Sequence, residues 1–521
     1  MTTFSDIRSD NNSTKLELPN EIWMKIFSSL THGDLLQINL VCKDWYDLIV
    51  ALNIKHKSKL VITGQNLKNI YDLMQRGTLR YKCIEIDERS NEISSVDHVL
   101  LCEIFEQIGS DIVQLKLYNL STLSVLNNLL PNLKELDLLC VGPKKGVSID
   151  FNKFPNLKSL KMPHFAGNYT RSHLLESLTQ ISRTRLEKLL LIDNYSLKDT
   201  LKALASHASS LRWLQLHFNS WCFSRITLPL LSQLSETFKT FSHLELLDMR
   251  AIETKELKKI ILENLSTENP LQTIVLRSDC MDDDVHDDLL ELIAQKWSGS
   301  LECLKFLCWD TTGNSVNQLS LMSGKLKSLS MYGCRLAAHD IIHSIAPKTN
   351  NKLRELNLFH SRLIGQSFCT LVQRLPNLIA LNLTGCNSKV GDEEMVYIFR
   401  HLPQMRHLFL PPCISQNGIE YLCSNSNISN LKRLQTLSSC LCPINVVQIL
   451  NLNVKFKELR YFKLYSCQRN PVSKARLTDI AAYIPALEKL FAVYLLFDNN
   501  DIQEIRKSFP RLRELNRRRL F

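Results

Sequence analysis

Three stretches of the chain, LKSLSM at 326–331, LRELNL at 353–358 and LIALNL at 378–383, share one pattern: a leading apolar residue, then apolar residues at the fourth and sixth places. Polar neighbours between the last two give the period of a strand with one buried face. Working outward, heads of this type begin at Ile112, Leu133, Leu157, Leu186, Leu211, Leu244, Leu271, Leu301, Leu326, Leu353, Leu378, Met405, Leu434, Leu459, Leu487 and Leu512, with a weaker copy at Tyr81. The mean spacing is about 27 residues. Between heads, stretches such as 367–375 and 393–402 place apolar residues at helical spacing.

One strand and one helix cannot cover their own apolar faces, whereas stacked copies bury a continuous core. With roughly 90 leucines in 521 residues, the period predicts an α/β leucine-rich-repeat solenoid, a horseshoe with strands on its concave side and helices outside. Three residues after the last head apolar stand Cys334, Cys386, Cys413, Cys442 and Cys467, with Asn194 and Asn219 in two other copies. There the chain leaves the strand, and its buried backbone groups need a small, weakly polar partner. Thiols a full repeat apart cannot gather on one ion, so these are structural rather than metal ligands.

The first 15 residues lack the apolar core of a secretory signal and are expected to be disordered. No apolar run long enough to cross a membrane occurs. Sixteen cysteines without an export signal are expected as reduced thiols, in the cytosol or nucleus. The net charge of +11 is spread thinly, apart from a basic end holding Arg506, Lys507, Arg511, Arg513, Arg517, Arg518 and Arg519. A solvated end-cap accounts for it, so neither nucleic acid nor membrane is an expected partner.

Residues 16–51, LELPNEIWMKIFSSLTHGDLLQINLVCKDWYDLIVA, fall outside the repeat. Pro19 suits a helix start, and Ile22, Ile26, Phe27 and Leu30 then share a helix face. Asp34 can cap a second helix and Trp45 sits in a third. Three helices in so short a span cannot fill a private core, so apolar surface is left for a partner. The segment resembles the F-box family, with Leu18, Pro19, Glu21, Ile22, Ile26, Phe27, Leu30, Asp34, Leu35, Leu36, Val41, Cys42, Lys43 and Trp45 in register with its pattern. With the array behind it, nearly the whole chain resembles the F-box and leucine-rich-repeat class.

The resemblance implies a substrate receptor of an SCF-type ubiquitin ligase. Its F-box would dock on the Skp adaptor and, through it, on cullin and RING subunits. Leu18, Pro19, Ile22, Ile26, Phe27, Leu30, Leu35, Val41 and Trp45 would form that apolar contact. The implied organisation is a disordered 1–15, an F-box at 16–51, a linker with first irregular repeats at 52–110, and the repeat array with its basic cap at 111–521.

Strand residues flanking the buried apolars face the open side of an array. They include Trp213, Arg250, Arg277, Lys305, Tyr332, Phe359, His407, Phe409, Tyr461, Lys463 and Tyr465, a mixture of aromatics and bases that suits a protein substrate, acidic or phosphorylated. The long interval from Leu211 to Leu244 carries Trp221, Cys222 and Phe223, as an exposed loop or as core filler. Gly-rich phosphate loops, H-E-x-x-H and G-x-S-x-G are missing, and the acidic run Asp282, Asp283, Asp284, Asp287 and Asp288 suits a helix start better than a calcium loop. The expectation is a non-catalytic adaptor without cofactor. A repeat-protein scaffold or inhibitor acting without ubiquitination is the alternative.

Overall fold

The computed structural model describes residues 18–29, 38, 41–42, 44–45, 48, 59–75, 81–88, 95–139, 149–162, 169–180, 185–192, 197–217, 227–250, 252, 254–276, 287–307, 316–333, 338–361, 365–386, 390–411, 431–436, 456–465, 478, 480–493, 497–516 and 518–519. They fall in two compact units, Met1–Thr184 and Arg185–Phe521.

In the first unit, helix α1 (Asn20–Ser29) precedes five strands, β1 (Lys59–Ile62), β2 (Cys83–Ile86), β3 (Gln114–Leu117), β4 (Glu135–Leu138) and β5 (Ser159–Met162). Neighbours pair in parallel with Leu60, Ile84, Leu115, Leu136 and Leu160 in one row. Parallel pairing needs a crossover, supplied by helices α2 (Leu67–Gln75), α3 (Ser95–Ile108) and α4 (Leu120–Leu126). The weaker copy at Tyr81 is a strand, and the sheet begins one repeat earlier still, at Lys59.

The second unit continues the theme with β6 (Lys188–Ile192), β7 (Trp213–His217), β8 (Leu246–Asp248), β9 (Thr273–Val275), β10 (Cys303–Leu307), β11 (Ser328–Tyr332), β12 (Glu355–Asn357), β13 (Ala380–Asn382), β14 (His407–Phe409), β15 (Arg433–Thr436), β16 (Tyr461–Tyr465), β17 (Lys489–Val493) and β18 (Glu514–Leu515). Helices of four to twelve residues alternate with most of them, α7 (Leu228–Lys239) being the longest, after α5 (Tyr169–Thr179) at the end of the first unit. Each strand hydrogen-bonds in parallel to the next, and the apolar residue at the fourth place of each head, from Leu189 to Leu515 and including Ile274 and Phe462, is buried. This is the expected leucine-rich-repeat architecture. The sheet ends in an antiparallel pair, β18 with β19 (Arg518–Arg519), so part of the basic terminus closes a strand edge.

One head is displaced. Leu434 pairs with Leu408 and Phe462, which makes it the fourth-place residue of a head beginning at Leu431, not the leading residue expected. The equivalent exit position then moves from Cys442 to Ser439, both outside the described residues.

Strand exits show why small residues recur there. Gly333, His360 and Gly385, each seven places after its head, adopt left-handed φ of 70°, 57° and 72°. The next residue then turns inward: the Cys386 thiol donates to Leu358 O at 3.0 Å, and Ser361 Oγ to Met331 O at 3.5 Å. Each reaches the last head apolar of the preceding repeat, as foreseen for the cysteines, while Cys334, Cys413 and Cys467 lie outside the described residues. A Cβ on Gly385 would lie 2.7 Å from the His360 ring. Left-handed strain and this overlap together put the cost of Gly385→Ala at about 2 kcal/mol or more. Hydrogen exchange should show faster opening of the Cys386 amide, which bonds Leu383 O.

Neighbouring repeats also close one another's helices. Lys296 Nζ donates to Leu262 O, Glu263 O and Leu265 O, capping α8 (Lys255–Asn264) from the following helix. Asp288, in the first turn of helix α9 (Asp287–Trp297), meets Lys255 and Lys259 at 2.9 and 3.1 Å. Burial raises its carboxyl pKa, but the two ammonium groups outweigh this and hold it below the usual range. That favours the helix-start reading over a calcium loop; Asp282, Asp283 and Asp284 lie outside the described residues. Thr200 in α6 (Leu197–His207) is fully buried beside a small cavity walled by Leu201, Leu216, Leu234, Phe238 and Ile261, and its Oγ1 has no partner. Thr200→Val replaces that hydroxyl by a methyl of the same shape and should stabilise the unit by about 1 kcal/mol, read as a higher urea midpoint.

Candidate functional site

Two surfaces stand out, and α1 builds the first. Pro19 O accepts hydrogen bonds from Ile22 N and Trp23 N at 2.9 and 3.2 Å, starting the helix. Two apolar stripes then run along one short helix, each at i, i+4 spacing. Trp23 and Phe27 point inward, where the Trp23, Phe27 and Trp45 rings lie 4.7 to 5.6 Å apart between centroids. Ile38 and Leu48 complete this cluster.

The other stripe faces solvent. Leu18, Ile22 and Ile26 are 41%, 44% and 38% exposed, and Val41 is 61% exposed. Pro19 is also exposed. Phe27, expected at the contact surface, is only 1% exposed. It is the interior residue of the small helical cluster, because a unit of this size needs its largest rings to fill its own centre. Trp45 is half-buried in the same cluster, and Leu30 and Leu35 lie outside the described residues.

The second surface is the sheet face carrying the residues between the buried leucines. In the first unit its charges cancel. Glu85 is fully buried, paired with Lys59 and Lys116 and bonded by the Tyr118 hydroxyl, while Lys161 meets Asp137 at 3.4 Å. Register sets Glu85, Lys116, Asp137 and Lys161 side by side as an alternating row.

The second unit divides. On β7, Trp213 is exposed but lies under the Lys188 ammonium at 3.9 Å and near Glu245, and just after β8, Arg250 is paired with the buried Asp248. These candidates are therefore engaged within the chain. Around β10 to β14, Lys305, Tyr332, Phe359, His407 and Phe409 are half-buried. Lys305, Tyr332 and Phe409 line a shallow groove whose floor includes Ser328, Ser330 and Ala380. The Tyr332 and Phe359 rings meet edge to face at 6.2 Å. Burial first, and then Arg433 on the next strand, hold the His407 imidazole below the ordinary histidine range, so it is neutral at pH 7.

Further along, Arg433 lies over the Tyr461 ring at 5.8 Å, and Tyr461 packs on Phe491 at 5.4 Å. Lys463 is half-buried one row below, whereas Arg277 and the Tyr465 side chain lie outside the described residues. Arg433, Lys489 and Phe491 belong to this face and were missed. The Leu434 slip hid Arg433, since only a head at Leu431 places it between buried residues.

Among the described residues no group of three side chains could hold a metal ion, and no helix is long and apolar enough to cross a membrane. The six described cysteines are free thiols. Burial pushes the Cys83, Cys102 and Cys303 thiols up and Cys369 to about 11, away from nucleophilic use.

Residues 16–53 match the F-box-like family model. No curated protein matches the chain. A solved structure described as the crystal structure of the Rad7 and Elc1 complex in yeast is similar at 14% identity and a TM-score of 0.40, covering 92% of each chain.

Proposed function

We propose, from an F-box-like segment joined to a leucine-rich-repeat array, that this chain is a non-catalytic receptor that presents a target protein to an SCF-type ubiquitin ligase. The F-box-like segment would bind a Skp-type adaptor, which links it to cullin and RING subunits, and the sheet face would hold the target. The observation that carries this reading is the stripe of Leu18, Ile22 and Ile26, with Val41, left exposed over an interior already filled by rings. Covering such side chains is worth about 1.5 to 3 kcal/mol each, so a partner surface is the physical use for them. The chemistry would be proximity: a bound target lysine held near a charged conjugating enzyme reacts as if at high local concentration.

Co-purification of the tagged full chain tests this. Recovery of both adaptor and cullin is the expected result. Adaptor without cullin would mean a scaffold working outside the ligase, and neither would leave an inhibitor-like repeat protein.

A further inference from the structure

The repeat face differs along its length in how its charges are spent, and this difference points to what it binds. In the first unit acids and bases neutralise one another, and on β7 and just after β8 the Trp213 and Arg250 side chains are engaged internally. Two cations flanking the groove of β10 to β14 are different. Among the described residues, Lys305 on β10 and Arg433 on β15 meet no carboxylate, and Arg433 spends only a ring face of Tyr461. Between them lies the groove floored by Ser330 and Ala380 and bounded by Tyr332 and Phe409. Its acid is Glu355, which accepts from Ser328 Oγ at 3.0 Å.

Resting on the reading that this face holds the target, we infer that the second unit binds an extended segment of a partner protein with two acidic residues about seven positions apart and an uncharged apolar side chain midway. The spacing follows from the sheet. Lys305 and Arg433 are five strands apart, about 24 Å at about 4.8 Å per strand, and an extended chain covers that in about seven residues at about 3.3 Å each. Glu355 repels an acid placed in the middle, while the small floor leaves room for an apolar side chain between Tyr332 and Phe409. A nucleic acid strand fits less well, because its even negative charge would cross Glu355 and the Tyr461 ring faces are already occupied by Arg433 and Phe491.

The test uses the full chain and a fluorescein-labelled eleven-residue Gly/Ser peptide with Glu at positions 2 and 9 and Leu midway. Arg433→Glu and Lys305→Glu should each weaken anisotropy-detected binding about tenfold, whereas Arg250→Glu should not. Shifting both Glu residues next to the Leu should weaken binding as much. Replacing one peptide Glu by Lys should restore binding to the Arg433→Glu chain, which a folding defect could not do. No binding, equal binding by the variants, no rescue, or preference for a thymidine oligonucleotide of similar length would overturn the inference. Adaptor recovery is scored on the same preparations. Peptide binding without adaptor recovery would sink the ligase reading alone, and the reverse would sink this inference alone.

Discussion

A chain carrying Leu18→Asp and Ile22→Asp is expected to lose the Skp-type adaptor entirely in co-purification while its circular dichroism melt shifts by no more than about 2 °C. Leu18, two residues before α1, and Ile22, on the solvent side of α1, are both exposed, so the isolated chain loses little packing. In the complex each would give up about 2 kcal/mol of apolar burial, and each new carboxylate would have to be desolvated without a partner. The sum exceeds about 4 kcal/mol, a factor of about a thousand in affinity. Full adaptor recovery by this variant would remove the docking assignment.

Phe27→Ala should end in the same loss by a different route. The ring is 1% exposed and packs between Trp23 and Trp45, so its removal costs about 3 to 5 kcal/mol. A helical cluster of this size has little reserve. Amide exchange within residues 20–29 should rise toward unfolded rates, while β3 and β4 keep their protection. The aspartate variant should leave both regions protected. That contrast separates a lost surface from a lost fold, and unchanged exchange in Phe27→Ala would contradict the interior placement.

The repeat was plain in the sequence because a leucine at the fourth place of a head has nowhere to go but the core. Leu329, Leu356, Leu381 and Leu408 obey this without exception. The slip at Leu434 has a simple cause: Thr436 stands where an apolar sixth residue was sought, and Leu437 offered a competing match. A single misplaced head reverses which residues face outward, and that concealed Arg433. Side-chain engagement was equally hidden, since the seating of Lys188 on the Trp213 ring depends on cross-strand register rather than on nearness in sequence. In α1 both Ile26 and Phe27 satisfy helical periodicity, and periodicity does not say which stripe the chain itself covers. Trp45, arriving from about eighteen residues later, decides it.

Hydroxyl-radical footprinting of the chain alone and in complex with a Skp-type adaptor tests the central claim most directly. Leu18, Ile22, Ile26 and Val41 should be oxidised readily in the free chain and become protected on complex formation, with Phe27 protected in both. Equal oxidation of the four aliphatic residues in both states would show that the adaptor does not cover this stripe.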